Sequence, residues 1–485
     1  MKLGVILYLL GKISLGMGLV QLVPLVMSIY YEEQGTVAFF ISIVSAFVIS
    51  LVLTYAGRNA TRKDLSVREG IGTVFFSWVL AAGLASIPFC ILGILDPMGA
   101  YFESMSGLTT TGATAIADLE CLPKSILFWR AMMHWMGGIG IIVIFVALLP
   151  QIEGSAMYLF NAEVTGFSNT RIMPRIRTTA VALFYIYLLM TIILTGILRG
   201  MGMSVYDAVY HACSAIATGG FSPYNSSVGY FHTPMIEYAL SIFMLLAAGN
   251  FAVYYQVSQT GLKAIWEDLE FRTYVLTMLA ISILITINIV MENGYSVADG
   301  FRTALFHVAS FGSTTGFVAD NYDLWPSFSK MLLAATFLTG GCAGSTAGGI
   351  KICRWIVLIK TVAAELRRTL HPQMLLNVHY GKNRLPSVTI INIGRFFFTY
   401  VFLVALLSLV VTASGMTVEE SLFGVASCMA SVGPAFGSLG ATGNYAEIPA
   451  MGKFALALAM LLGRLELFTA LALLRSEYWR HSKRW

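Results

Sequence analysis

Four short segments share one template: an aromatic residue, Ser four positions on, Thr or Ser four further, and Gly two further. They cover 102–112, 210–220, 306–316 and 423–433, with cores SGLTTTGA (106–113), SAIATGGF (214–221), SFGSTTGF (310–317) and SVGP (431–434). Small hydroxyls and glycines in this order suit one kind of chemistry. Glycine lets several backbones approach closely and admits positive φ, and main-chain carbonyls brought around an axis can replace the water shell of a cation. The residues that would do so are Thr110, Thr111, Gly112, Thr218, Gly219, Gly220, Thr314, Thr315, Gly316, Ser431, Val432 and Gly433. The hydroxyls of Thr110, Thr218, Thr314 and Ser431 would either tie the loop to a preceding helix or offer oxygen to the ion. A single cluster of this kind reads as a helix-packing patch. Four in register, about a hundred residues apart, read as a repeat.

The elements that must position these segments are membrane spans. Of 485 residues, 57% are hydrophobic and 11% charged, against about 25% charged in a soluble domain; too few charges are available to solvate a globule of this size. A span takes about 20 apolar residues, and ten runs qualify: 3–29, 36–56, 71–95, 125–149, 178–198, 234–258, 272–291, 328–359 (interrupted), 388–413 and 451–474. The fold class is therefore an all-α polytopic membrane protein. It has four parallel span–pore-helix–span repeats in pseudo-fourfold arrangement, plus two leading spans. The boundaries fall at 1–69 for the two-span region, then 70–175, 176–270, 271–386 (with a broken last span) and 387–485, which includes a cytoplasmic tail. The apolar run at the N-terminus is too long for a cleavable signal.

Lys and Arg in short loops set orientation. Arg58, Arg62, Lys63 and Arg68; Arg171, Arg175 and Arg177; Lys351, Arg354, Lys360, Arg367, Arg368, Lys382 and Arg384; and Arg475, Arg480, Lys483 and Arg484 fall on one side if both termini are cytoplasmic. Arg199 is a mild exception. The glycine segments then lie outside, each preceded by a piece too short to span: 98–109, 204–217, 298–313 and 417–430. These are expected to be re-entrant half-helices whose negative dipole ends face the axis and favour a cation.

Two further features stand out within the spans. Gly340, Gly341, Gly344, Gly348 and Gly349 crowd TGGCAGSTAGGIK (339–351), with Ser345 and Thr346 breaking any apolar face. This predicts an irregular intramembrane loop beneath the filter rather than a packing face. The string is not a phosphate-binding loop, because Ile350 stands where Lys should be. Arg464 lies roughly 16 Å into the last run, where a charge costs about 2.5–3.5 kcal/mol. It should face the pore or pair with Glu466 or with carbonyls, acting as a barrier to cations or as a purely structural ion pair.

The segments resemble those of the Trk/Ktr/HKT superfamily of potassium transporters, along the whole chain. The family's filter glycine in each repeat matches Gly112, Gly220, Gly316 and Gly433. Plant relatives with Ser at the first of these prefer sodium, so Gly112 implies potassium, with the ion held at Thr111, Gly112, Gly220, Thr315, Gly316, Val432 and Gly433. The TVGYG string of tetrameric potassium channels is absent, which implies a shorter filter. The resemblance also implies that the 340–349 loop and Arg464 form a gate. It implies a homodimer, and a cytosolic nucleotide-binding regulator of the TrkA type on the basic inner face, with any nucleotide bound by that partner. The setting it implies is the bacterial inner membrane, and the function potassium uptake.

The remaining polar residues divide less cleanly. Asp118, Glu120, Asp320, Asp323 and Glu447 either concentrate cations at the outer mouth or are solvated loop charges. His211 and His307 lie nine residues before their glycines, with Glu103 and Gly424 at the same place in the other repeats; polar contacts behind the filter are expected. His134 and Trp135 read as packing. Cys90, Cys121, Cys213, Cys342, Cys353 and Cys428 show no metal-ligand or disulfide spacing. No enzyme motif occurs, and the net charge of +5 gives no reason to expect nucleic acid. Rivals to a potassium pore are an ion-coupled (H+ or Na+) potassium symporter of the same fold, a secondary transporter of the kind that usually has inverted repeats and mid-span acids, and a membrane-embedded enzyme or a scaffold that conducts nothing.

Overall fold

The computed structural model describes residues 3–59, 66–140, 176–261, 263–373, 377–381, 383–465 and 467–479. Arg62, Lys63, Arg171, Arg175, Lys382, Glu466, Arg480, Lys483, Arg484 and the far end of the expected span 125–149 lie outside the described residues.

The leading region is α1 (Leu3–Val20), α2 (Leu22–Tyr30) and α3 (Gly35–Ala56). Helix α1 packs along α3 and against the first span of repeat 1. Between α2 and α3, Glu33 accepts hydrogen bonds from the main-chain N–H groups of Lys124 (2.8 Å) and Ser125 (3.0 Å). A carboxylate from the leading region thus caps a helix of repeat 1 and meets the positive end of its dipole.

Each repeat then supplies a span, a half-helix and a second span. Repeat 1 has α4 (Val67–Ile91), α5 (Pro97–Leu108) and α6 (Lys124–Ile139). Repeat 2 has α7 (Ile176–Gly200), α8 (Val205–Ile216), α9 (Pro234–Ala247) and α10 (Phe251–Thr260), followed by the short α11 (Lys263–Glu267). Repeat 3 has α12 (Leu269–Asn293), α13 (Val297–Gly312), α14 (Ser327–Thr336) and α15 (Ile352–Leu370), then the hairpin β1 (His379–Tyr380) and β2 (Asn383–Arg384). Repeat 4 has α16 (Ser387–Ala413), α17 (Val418–Ala430), α18 (Ala450–Arg464), α19 (Leu467–Ala472) and α20 (Ser476–Trp479).

The half-helices begin where the side chains dictate. Asp96, Ser204, Ser296 and Thr417 each accept a backbone N–H from the first turn, satisfying donors that a helix N-terminus leaves open. Their cores pack along the seams between repeats. One apolar cluster joins the leading spans with repeats 1 and 4 and includes Trp78, Phe102, Trp129 and Met460. A second holds repeat 3 against repeat 4, and a third is centred on repeat 2 and reaches Phe306 and Phe317 of repeat 3.

The second spans depart from expectation. A break is expected only in 328–359, where helix is indeed absent between α14 and α15. The runs 234–258 and 451–474 are broken as well. Helices α9 and α10 meet at a bend of 96°, and α18 stops at Arg464 with Leu465 extended. In repeat 1, α6 ends at Ile139, followed by Gly140 at φ 89°. The signals at these breaks are short: Gly249 and the N-cap Asn250 follow Ala247–Ala248, and Gly463 precedes Arg464, each pair within an otherwise apolar run. The carbonyls freed at the α9–α10 break are satisfied from another repeat: Cys342 N donates to Ala248 O (2.8 Å) and Thr346 Oγ1 to Ala247 O (3.0 Å). Buried protein partners are what make such irregular backbone tolerable at membrane depth.

Replacing Glu33 by Ala removes the cap on α6 at a cost of about 1 kcal/mol. The expected result is a lower midpoint for thermal loss of monodisperse protein in detergent, with a Glu33→Gln variant falling between.

Candidate ion-binding site

All four half-helices close in the same way. Thr111 N donates to Ser106 O (2.9 Å), Gly219 N to Ser214 O (2.9 Å), Thr315 N to Ser310 O (2.7 Å) and Val432 N to Ser427 O (2.9 Å). The residue just before each donor is left-handed: Thr110, Thr218, Thr314 and Ser431 have φ of 56°, 54°, 59° and 59°. This is a helix C-terminus of the Schellman type, usually built on Gly. Here three β-branched residues take that conformation, an outlier for this residue type. The template Ser thus supplies the carbonyl that accepts the closing bond.

Beyond that turn the four segments meet in a closed cycle. A Cβ built on Gly112 would overlap the carbonyl oxygen of Gly219, one on Gly220 that of Thr315, one on Gly316 that of Val432, and one on Gly433 that of Thr111. Each repeat therefore places its filter glycine against the preceding carbonyl of the next, and the fourth returns to the first. The glycines have φ of 83°, 79°, 85° and 95°, so close approach and backbone conformation both exclude a side chain. Eight of the twelve residues expected around the axis, Thr111, Gly112, Gly219, Gly220, Thr315, Gly316, Val432 and Gly433, meet in these contacts, and Thr110, Thr218, Thr314 and Ser431 form the turns just before them.

Their side chains do different things. Thr111 Oγ1 pairs with Thr109 Oγ1 (2.9 Å) and Thr315 Oγ1 with Ser313 Oγ (2.7 Å), both turned back toward their half-helices. Thr218 donates to Ala217 O (2.6 Å). Thr110 and Thr314 instead accept from Arg464 and from Gly348 N.

Behind the ring, each return strand is held by a different group. In repeat 1, Glu103 accepts from Ala115 N (2.7 Å) and Thr114 Oγ1 (3.2 Å), and pairs with Arg130 Nε at 2.7 Å. Arg130 also donates to Ser222 O (3.2 Å) and lies over the Phe221 ring at 3.8 Å. In repeat 2, His211 bonds Ser222 Oγ (3.2 Å) and Asp207 O (2.8 Å). In repeat 3, His307 Nε2 accepts from Ala319 N and Asp320 N, both at 3.4 Å. Repeat 4, with Gly424 at this place, relies on Tyr445, which donates to Gly433 O (2.6 Å), and on Ser427 to Pro434 O (2.6 Å). His134, expected as packing, contacts Ser214 Oγ (3.1 Å) and stacks on Phe221. Trp135 donates to Thr191 Oγ1 (3.3 Å).

An outer belt joins repeat to repeat. Leu119 N donates to Asn225 Oδ1 (2.9 Å), and Asn225 Nδ2 to Asp118 (2.8 Å). Gly229 N donates to Val318 O (3.2 Å). Asp323 accepts from Gly437 N (3.3 Å) and Ala441 N (3.0 Å), and Tyr322 donates to Ala435 O (2.8 Å). Tyr445 N closes the circle on Thr114 O (2.8 Å). The outer acids are thus ties as much as charges. Bonds from the Cys121 thiol, the Asn225 amide and the Glu120 N–H hold Asp118 below the usual carboxylate range. Arg130, Asn225, Tyr445 and the tie made by Asp323 are absent from the sequence reading. Arg130, a cation well inside an apolar run, was the one detectable signal.

Immediately inside the ring lies the glycine-rich loop. Gly348 N donates to Thr314 Oγ1 (2.7 Å), and a Cβ on Gly348 would crowd Ala430 O and Ser431. Thr346 Oγ1 donates to Ile216 O (3.1 Å) and Ser345 Oγ to Cys342 O (2.6 Å). Gly344 and Gly349 have positive φ, and Gly340 and Gly341 pack against Gly348–Gly349 and Ala248. Arg464 fills the remaining quadrant. Its guanidinium donates to Thr346 O (2.8 Å), Gly137 O (2.6 Å), Gly138 O (2.8 Å) and Thr110 Oγ1 (3.2 Å). The loop and Arg464 together touch all four repeats and line a cavity with Lys351, Arg354, Phe396 and Tyr400.

Four parallel span–half-helix–span units around one axis define a membrane protein of the single-chain, four-repeat pore architecture. The family model described as "TrkH: Cation transport protein" matches residues 36–481, and the chain belongs to that family. It is 34% identical over 484 residues to the Trk system potassium uptake protein TrkH of Halomonas elongata, covering 99% of this chain and 100% of that one. It is 35% identical over 469 residues to TrkH of Escherichia coli K12, covering 95% of each. The crystal structure of the potassium transporter TrkH from Vibrio parahaemolyticus superposes with a TM-score of 0.89 at 32% identity, over 99% of this chain and 100% of that chain.

Glu103 and Arg130 are 0% and 1% exposed, so removing one partner strands a buried charge at about 3–5 kcal/mol. Glu103→Ala or Arg130→Ala should abolish monodisperse expression or sharply lower the thermal midpoint. The paired Glu103→Leu, Arg130→Met variant should recover much of the loss.

Proposed function

We propose that this chain is a gated pore for potassium uptake. The observation that carries the reading is the closed cycle of filter glycines against neighbouring carbonyls. The units are the repeats at 70–175, 176–270, 271–386 and 387–485, with 1–69 as a peripheral packing element. A potassium ion loses water at the outer mouth and is held by main-chain oxygens from Thr111, Gly112, Gly219, Gly220, Thr315, Gly316, Val432 and Gly433. The C-terminal ends of four half-helices add about half a negative charge each. The relatives, Trk system potassium uptake proteins, support potassium as the cargo.

Inward passage meets the loop at 340–349 and Arg464. Two unit charges 4 Å apart in a partly screened site repel by about 4 kcal/mol, which equals or exceeds the roughly 1–4 kcal/mol that four helix ends supply together. The arrangement is therefore a closed gate, and conduction requires the loop and the guanidinium to move aside. The protein sits in the bacterial inner membrane with both termini cytoplasmic. It works as a homodimer beneath which a cytosolic nucleotide-binding regulator of the TrkA type docks, any nucleotide being bound there. No catalytic role is assigned to the chain.

Rubidium uptake into proteoliposomes tests the pore. Flux that follows membrane potential without a pH or sodium gradient is expected. Strict dependence on such a gradient would instead mean coupled symport, and no flux a scaffold. Arg464→Ala, or shortening of the 344–349 loop, should raise flux about tenfold or more; unchanged flux in both would place the gate elsewhere.

Gly112→Ser is expected to lower potassium flux and to move the reversal potential in mixed potassium and sodium toward sodium. An unaltered reversal potential would remove Gly112 from the ion path.

A further inference from the structure

Glu270 lies in the first turn of α12 and is 4% exposed. No reading of the sequence singles it out, and it is not part of the ring. Its Oε1 accepts the main-chain N–H of Ala343 (2.8 Å) and of Cys353 (3.1 Å). Ala343 lies within the glycine-rich loop, just before Gly344, and Cys353 in the first turn of α15 beyond it, so a single oxygen ties the loop to the helix that follows. Its Oε2 accepts the hydroxyl of Tyr380 at 3.4 Å. Tyr380 belongs to the short hairpin beyond α15, where it pairs with Asn383, and Lys360 Nζ braces the neighbouring His379 O (2.8 Å). Helix α15 carries Arg367 and Arg368 in its last turn.

We propose that Glu270 is the latch of the gate, a positioning residue that keeps the loop under the filter and links it through Tyr380 to the cytosolic hairpin. The inference rests on the reading of the loop as the gate. Hydrogen bonds to a buried charged acceptor are strong, and losing that acceptor leaves two buried N–H groups unsatisfied. The closed loop is then the state most penalised, because only there do both N–H groups converge on one point. The bond to Tyr380 is the longest of the three and so the first to part when the hairpin is displaced. Movement on the cytosolic side thereby reaches the loop without any contact to Arg464 or the filter.

The test uses the full chain alone in proteoliposomes. Glu270→Ala should raise rubidium flux about tenfold, and Glu270→Gln and Tyr380→Phe about two- to threefold. The potassium-to-sodium reversal potential should stay unchanged. Cys342 and Cys353, both buried, should become open to a membrane-impermeant maleimide applied to the inner face, with the labelled sites mapped by mass spectrometry. Lower flux in the two mild variants, a shifted reversal potential or unaltered labelling would overturn the latch. Shortening the 344–349 loop separates the two ideas. Raised flux there with silent Glu270 and Tyr380 variants overturns the latch alone, whereas unchanged flux throughout overturns the gate and the latch together.

Discussion

The fold depends on four points where a glycine Cα meets the carbonyl oxygen of the next repeat, at Gly112, Gly220, Gly316 and Gly433. No side chain fits there, and the contact leaves each strand no freedom to slide without opening the ring. Much of what surrounds it stabilises a backbone that would not hold this shape alone. Left-handed Thr110, Thr218 and Thr314 cost about 1–2 kcal/mol each. The capped half-helices and the i to i−5 closing bonds offset that cost within each repeat. The outer belt, from Asn225 through Val318 and Asp323 to Tyr445, offsets it between repeats.

The symmetry is in the backbone and not in the side chains that support it. Repeat 1 backs its strand with a buried ion pair, repeats 2 and 3 with imidazoles, and repeat 4 with a tyrosine that also bonds to repeat 1. One geometry is reached by chemically different routes, as expected if the constraint lies on the oxygens facing the axis. The inner side is less symmetric still. Every second span ends or bends within the described residues, yet among those residues only repeat 3 inserts a long loop at the break, and the cations lining the cavity beside it are Lys351 and Arg354 of repeat 3 and Arg464 of repeat 4. The freed carbonyls of the other breaks, at Gly137, Gly138, Ala247 and Ala248, become the acceptors that hold the loop and Arg464 in place.

The parts legible in the sequence are those written in residue type. The glycine template, the half-helices, the glycine-rich loop and the buried arginine rest on compositions that have few other uses in a bilayer. A buried Arg464 calls for carbonyls or Glu466 as partners, and the described partners are three carbonyls and a threonine hydroxyl. The breaks in 234–258 and 451–474 are marked in the sequence only by Gly249–Asn250 and Gly463–Arg464, and the partners that fix them are tertiary. The supports by Asn225, Tyr445 and Glu270 are equally hidden, and Arg130 shows only as a cation in an apolar run. Their partners stand well apart in the chain, with Glu103 27 residues from Arg130, Ala343 73 from Glu270 and Asp118 107 from Asn225, and one sequence gives no means of pairing them.

The most direct measurement is anomalous diffraction from crystals grown in rubidium or thallium in place of potassium. A peak on the axis, within inner-sphere distance of the carbonyls of Thr111, Gly219, Thr315 and Val432, is the predicted result. No peak inside the ring, with the heavy ion found only among the outer acids, would contradict the claim that main-chain oxygens take the place of water around the ion.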